Sequence, residues 1–270
     1  NVGTAKLKKS QVLTGPNDKL NNEDTLLYFD AIWSAPAGWE IKNQMFYEGY
    51  KNINLNAYGF SQYHDSWVFE DKVVISKTFD LPGVKVATQL SPSIRHTDFE
   101  HGDDYDYEYF HRVDLTVGYT PLSDRLLSLE SGTNYSEVYK GNYTDYGVAG
   151  LADITFDWGL GVLLGARYDQ FEVESTGSGA DALAGKYEND DGGVSWTASV
   201  NYTTKWGLIP YATSSKQTTT IAGQGAEIAT ANVVGKTFLS ESEMNEVGLK
   251  GSFFDDRLYV AIDAYKQERT

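Results

Sequence analysis

The chain has no cysteine, only six prolines among 270 residues, and far fewer basic than acidic side chains. Each shortage excludes something. Without cysteine there is neither a disulfide framework nor a thiolate metal site. The 22 Lys and Arg against 38 Asp and Glu leave a net charge of −16. That argues against nucleic acid as a partner, because phosphate binding needs a basic surface. No apolar run reaches the roughly 18 residues of a membrane helix. A membrane β-barrel stays open, because its strands are apolar on one face only. The first residues, NVGTAKLKKSQ, lack the apolar core of a signal peptide. There is no G-x-S-x-G elbow and no pair of carboxylates that the sequence places face to face, so catalysis is not expected. The four histidines, His64, His96, His101 and His111, show no helical H-x-x-x-H spacing. Neither a metal site nor a cofactor is expected from them. Gly223-Gln-Gly225 is too short for a phosphate loop.

Tyrosine, by contrast, is abundant, with 19 copies, and aromatics make up 14% of the chain. With Val, Thr and Gly they favour strands and turns. The clearest stretch is Tyr146 to Val173, two long strands around the turn Asp157-Trp158-Gly159. Tyr146, Val148, Gly150, Ala152, Ile154 and Phe156 share one face of the first strand. Leu160, Val162, Leu164, Ala166 and Tyr168 share one face of the second. The opposite faces carry small or charged residues, with Leu163 the exception. Period-two alternation over ten or more residues is about twice the usual soluble strand. It suits a wall between hydrocarbon and water.

Similar turns recur at 34–38, 80–83, 120–124, 157–159, 203–207 and 255–257, marked by Pro, Gly and Asp. Between them the alternation predicts twelve antiparallel strands as six hairpins, at 24–34, 38–48, 66–79, 83–94, 109–120, 125–139, 144–157, 159–174, 192–203, 206–216, 241–254 and 257–270. Pro210 weakens the strand at 206–216. The other connections, 49–65, 95–108, 140–143, 175–191 and 217–240, are longer with one exception. Short turns at one end and long loops at the other is the outer-membrane barrel pattern. Every short turn has an aromatic beside it: Trp33 and Trp39, Phe79, Tyr119, Phe156 and Trp158, Tyr202 and Trp206, Phe253 and Phe254. Such rings favour the headgroup level, which predicts a periplasmic girdle.

Four fragments then carry a family resemblance. YGVAGLADITF with LGVLLGARYDQFEVES resembles the Y-G-x-x-x-x-A-D … L-G-x-R-Y-D hairpin of TonB-dependent outer-membrane receptors. The stretch 209–215, IPYATSS, is similar to that family's P-Y-x-x-Y/S-S strand. The stretch 240–250, SESEMNEVGLK, resembles its P-E-x-S-x-x-x-E-x-G-x-K strand, and 253–258, FFDDRL, its L-F-x-x-R-L turn. The N-terminal half fits by architecture and by Phe69-Glu70-Asp71-Lys72. The resemblance implies part of a 22-stranded barrel in the bacterial outer membrane, with a plug domain and TonB as partners. It implies uptake of a scarce nutrient, a ferric siderophore above all. Plug, TonB-binding segment and terminal aromatic strand are not found within 1–270, so the chain is expected to be the middle of a longer protein. A passive porin and a β-rich surface binding protein are the alternatives.

If the apolar face meets lipid, Glu70, Lys72, Arg112, Asp114, Asp153, Arg167, Asp169, Glu246 and Lys250 face the lumen. There they would pack a plug and steer a hydrated solute, although any wet barrel interior carries charge. Asp153 or Asp169 is a candidate partner for Arg167. The segment 101–111, HGDDYDYEYFH, is dense in carboxylates, but its D-D-x-D-x-E spacing lacks the Gly of an EF-hand loop. Its Tyr105, Tyr107 and Tyr109, with Tyr135 and Tyr139, are the candidate ligand-binding rings.

Overall fold

The computed structural model describes residues 19–55, 61–104, 135–254 and 257–270, together with 4, 6, 8 and 9. They form one antiparallel sheet of ten strands in which each strand is bonded to its sequence neighbours. The strands are β1 (Lys19–Ala35), β2 (Trp39–Leu55), β3 (Ser61–Leu81), β4 (Val84–Asp104), β5 (Glu137–Phe156), β6 (Leu160–Ser178), β7 (Gly185–Tyr202), β8 (Leu208–Thr220), β9 (Leu239–Phe253) and β10 (Leu258–Arg269). One short helix, α1 (Thr230–Gly235), lies between β8 and β9. No described helix is long and apolar enough to cross a membrane.

The four described short turns, at 34–38, 80–83, 157–159 and 203–207, all fall where expected, at one end of the sheet. Gly83 and Gly159 adopt φ of 82° and 100°, a region that favours glycine, and so close the β3–β4 and β5–β6 reversals tightly. Pro210 is tolerated inside β8, where it sits opposite Leu249 of β9. The other end differs from expectation. Of the twelve expected strands, 109–120 and the residues before 135 of 125–139 lie outside the described residues. No strand stands between β4 and β5, which pair from Val84↔Phe156 to Asp103↔Glu137. The loop expected at 140–143 is continuous strand. Gly141 there is not a turn residue: a Cβ on it would lie 2.1 Å from the Glu174 carbonyl oxygen, so its smallness permits a close strand approach. Most of 49–65, 95–108 and 175–191 is strand as well. The apolar residues of these upper ends, such as Phe99 and Tyr143, lie on the face that is polar lower down, so the alternation read below does not continue into them.

Register assigns every side chain to a face. On β5 and β6, Val148, Ile154, Val162 and Leu164 fall on one face, while Asp145, Gly147, Arg167 and Asp169 fall on the other. The apolar face continues through Trp196 and Val200 of β7, Val247 and Leu249 of β9, and Val260 and Ile262 of β10. Aromatics bracket it. Phe156, Trp158 and Tyr202 form a contiguous group at the short turns, with ring centroids 5.6 and 5.9 Å apart. Lys77 caps the rings of Trp39 and Phe79 at 5.0 and 4.9 Å. A second row, Tyr47, Phe69, Tyr146 and Tyr168, shares the same face higher up. Phe156 and Tyr146 are ten residues apart on β5. At about 3.3 Å per residue and a tilt of about 45°, that is about 23 Å along the membrane normal, close to the apolar band of a membrane barrel.

The packed core lies at the other end of the sheet, on the polar face. Phe99, Tyr139, Tyr143, Phe171 and Val173 of β4–β6 enclose Ile228, Val233 and Phe238 from the β8–β9 connection. Replacing the fully buried Phe238 with Ala removes a side chain worth about 3–5 kcal/mol to the docking of this connection. Amide exchange across 228–238 is expected to speed at least about a hundredfold, at 1.4 kcal/mol per decade, with the lower wall unaffected. Unchanged exchange in that segment would show that Phe238 does not hold it.

Candidate functional site

The connection 221–238 turns back over the polar face and is tied to β6, β7 and the connection between them. Ser175 Oγ on β6 donates to the Ile228 carbonyl at 2.6 Å, and Asn189 Nδ2 on β7 donates to that of Val233 at 3.0 Å. Thr230 Oγ1 donates to the Leu183 carbonyl at 2.7 Å. At its base, Ile221 N–H bonds the Phe238 carbonyl at 2.7 Å. Alpha1 ends on Lys236 in the left-handed conformation, and the Thr237 N–H returns to the Asn232 carbonyl. The segment is thus a folded cap, with an apolar underside and a satisfied backbone.

Beside the cap, β3 and β4 bring two histidines together. His64 and His101 are register partners, and their rings stack at 4.2 Å with 8° between planes. Both are buried. The His101 Nδ1 lies 3.0 Å from the Tyr63 carbonyl oxygen, and its Nε2 lies 2.8 Å from Asp103 Oδ2 and 3.9 Å from Glu227 Oε1. Glu227 comes from the cap, where its Oε2 accepts the Gly225 N–H at 2.8 Å. Gly225 itself lies against His64: a Cβ there would sit 2.0 Å from the His64 Nδ1. Burial lowers the His64 pKa to about 4, and the neighbouring His101 acts in the same direction. Burial also works against a charged His101, but the Asp103 hydrogen bond and the Glu227 and Asp103 charges outweigh it, and its pKa is raised. The sequence leaves this cluster unseen, because strand partners 37 residues apart and a glutamate from a distant connection have no common spacing. The Gly-rich 223–225 stretch was the one local sign of a close approach.

Lower on the same face, Arg167 is the hub of a second cluster. Its Nε donates to Asp169 Oδ2 at 2.8 Å and an Nη to Ser93 Oγ at 3.1 Å, and it lies 3.6 Å from Asp145. Of its two candidate partners it meets Asp169, its same-face neighbour two residues along β6. Asp153 stands opposite Leu163, well down the strand, and does not meet Arg167. Asp145, which sequence reading passed over, takes that place. Gly147 makes room for the guanidinium.

The remaining candidates are placed as follows. Glu70 and Lys72 lie together on the polar face of β3, 3.9 Å apart. Glu246 accepts the Tyr211 hydroxyl, and the Lys250 ammonium lies 4.4 Å over the same ring. Asp153 is exposed on that face as well. All seven described charges therefore share one face. Tyr135 and Tyr139 are both buried. Tyr135 packs edge-on against Tyr63 at 5.0 Å beside Leu55, and Tyr139 belongs to the core beneath the cap. Tyr105, Tyr107, Tyr109, Arg112 and Asp114 lie outside the described residues.

Residues 4–270 match the profile described as TonB dependent receptor-like, beta-barrel. The chain belongs to that family. Its solved structural relatives include the siderophore receptor PiuA from Acinetobacter baumannii, at 16% identity and a TM-score of 0.73, covering 97% of this chain and 42% of that one. The ferric citrate transporter FecA gives 11% identity and 0.70, with 93% and 35% covered. The ferric-catecholate import receptor Fiu from E. coli K12 gives 8% and 0.68, with 98% and 43% covered. At these identities the likeness is one of fold. The chain spans less than half the length of each of these receptors. No curated protein sequence matches it.

In this receptor barrel the Arg167 cluster is expected to matter for stability. Arg167→Met leaves the mostly buried Asp145 and Asp169 facing each other with only the weaker influence of Arg95, a loss of about 3 kcal/mol. The unfolding midpoint in detergent should fall accordingly, and adding Asp145→Asn should restore part of the loss. An unchanged midpoint in Arg167→Met would make the cluster an ornament of the wet face.

Proposed function

We propose that this chain forms wall of an outer-membrane receptor that imports a scarce nutrient, a ferric siderophore, by a TonB-dependent route. The family match supports the receptor class and its bacterial outer-membrane setting. The solved relatives named above are described as a siderophore receptor, a ferric citrate transporter and a ferric-catecholate receptor, which favours chelated iron as cargo. Iron that arrives already chelated asks for no iron ligands from the wall. The apolar face then meets lipid, and Glu70, Lys72, Asp153, Arg167, Asp169, Glu246 and Lys250 face a plug or hydrated solute inside. Arg112 and Asp114 are assigned to the same lining, and Tyr105, Tyr107 and Tyr109 to ligand contact at the outer rim. Tyr139 is reassigned to support of the cap and Tyr135 to packing against Tyr63 and Leu55, since their rings are buried.

The observation that favours a gated receptor over a passive porin is the cap on the polar face. A folded segment packed over the interior side narrows the path, which an open pore would not need. The test is growth of a deletion strain under iron limitation on a panel of ferric siderophores. Loss of growth on one of them, restored by the full gene, is expected. Normal growth on all of them would sink ferric uptake, and swelling of liposomes by small sugars through the full-length protein would mark a porin instead.

A further inference from the structure

We propose that His64, His101 and Glu227 form a site for a divalent transition-metal cation of the zinc class, and that the bound cation latches the 221–238 cap to the barrel wall. One ligand atom from each of the three residues lies within 4.8 Å of the others. A tetrahedral zinc with bonds of about 2.0–2.1 Å needs its ligand atoms about 3.3 Å apart. Binding therefore requires side-chain rotation that tilts the two stacked imidazoles out of parallel so that their in-plane lone pairs converge.

Three observations point to a cation. First, a His101 Nδ1 that donates to the Tyr63 carbonyl fixes the tautomer with its Nε2 lone pair outward. A ligating histidine commonly has its other nitrogen held by a backbone carbonyl in this way. Second, that lone pair faces acceptors, the Asp103 and Glu227 carboxylates. Acceptors facing one another in a buried site require a positive charge between them, either a proton or a metal ion. Third, His64 is 4% exposed, and its Nδ1 has no hydrogen-bond partner. A buried imidazole nitrogen without a partner is costly unless something is bound there.

The donor set selects the ion. Two imidazoles and a carboxylate, with Asp103 at hand as a fourth oxygen donor, suit zinc and its first-row neighbours and not calcium or magnesium. Two neutral rings and two carboxylates also balance the charge of a divalent ion. Because the histidines belong to the wall and Glu227 to the cap, binding joins the two. This inference is independent of the cargo assigned above.

The full-length receptor in detergent, stripped with chelator, is titrated with Zn²⁺ alone and followed by calorimetry and by amide exchange across 221–238. One Zn²⁺ per chain is expected, with slower exchange in the cap on binding. Glu227→Gln and His64→Gln should each weaken binding at least tenfold and abolish the slowing. His96→Gln serves as the control and should change neither, since His96 bonds Thr144 away from the cluster. Glu227 belongs to the cap connection, so its variant tests the site without altering a wall residue. Absence of stoichiometric Zn²⁺ binding, or binding that survives both variants, overturns the proposal and leaves a proton between His101 and Asp103.

Discussion

Hydrocarbon offers a backbone amide no hydrogen-bond partner, and the arrangement of this wall follows from that one constraint. Each unpaired N–H or C=O in lipid costs several kcal/mol, so a strand is admissible there only with a neighbour on both sides. Nearest-neighbour pairing meets the condition for β2 to β9 with the shortest connections available, while β1 and β10 each have one neighbour among the described residues. Once pairing fixes the register, side chains have no further freedom of face. That is why a modest set of alternating residues is enough to separate an apolar exterior from a charged interior.

The same logic decides what a reader of the sequence can see. Where lipid meets the wall, alternation is strong, and the Tyr146–Val173 hairpin is legible residue by residue, down to the outlying Leu163. Above the membrane that selection vanishes. The expected break at 140–143 failed because Gly141 looks like a turn residue but serves a close strand contact. The faces of Glu70, Lys72, Arg167 and Asp169 were legible because face depends only on parity. Their partners were not, because parity does not give register: Arg167 meets Asp145 through a pairing that sequence spacing leaves undetermined. The His64–His101–Glu227 group lies one step further away, since it needs both the β3–β4 register and the path of a connection from the far side of the sheet.

The cap changes the meaning of several residues at once. Tyr139, which as sequence looks like a rim aromatic suited to a ligand, forms with Tyr143 the floor on which Ile228, Val233 and Phe238 rest. The polar face is therefore not uniform. It has a charged lower part around Arg167 and an upper part closed by a small apolar core and a histidine–carboxylate cluster. The cap thus covers the upper part of this face and leaves the charges below it open.

The strands of β3 to β6 run 19 to 21 residues, about twice what a tilted crossing of the bilayer requires. Their upper halves therefore stand in water as a stiff collar, and the variable connections are attached to that collar rather than to the lipid-embedded band. Changes at the rim are insulated from the energetics of insertion. Selection can rewrite the outer connections without endangering the pairing of the wall below. Relatives that share 8 to 16% of their residues with this chain and still superpose over nearly all of it are what such insulation allows to accumulate.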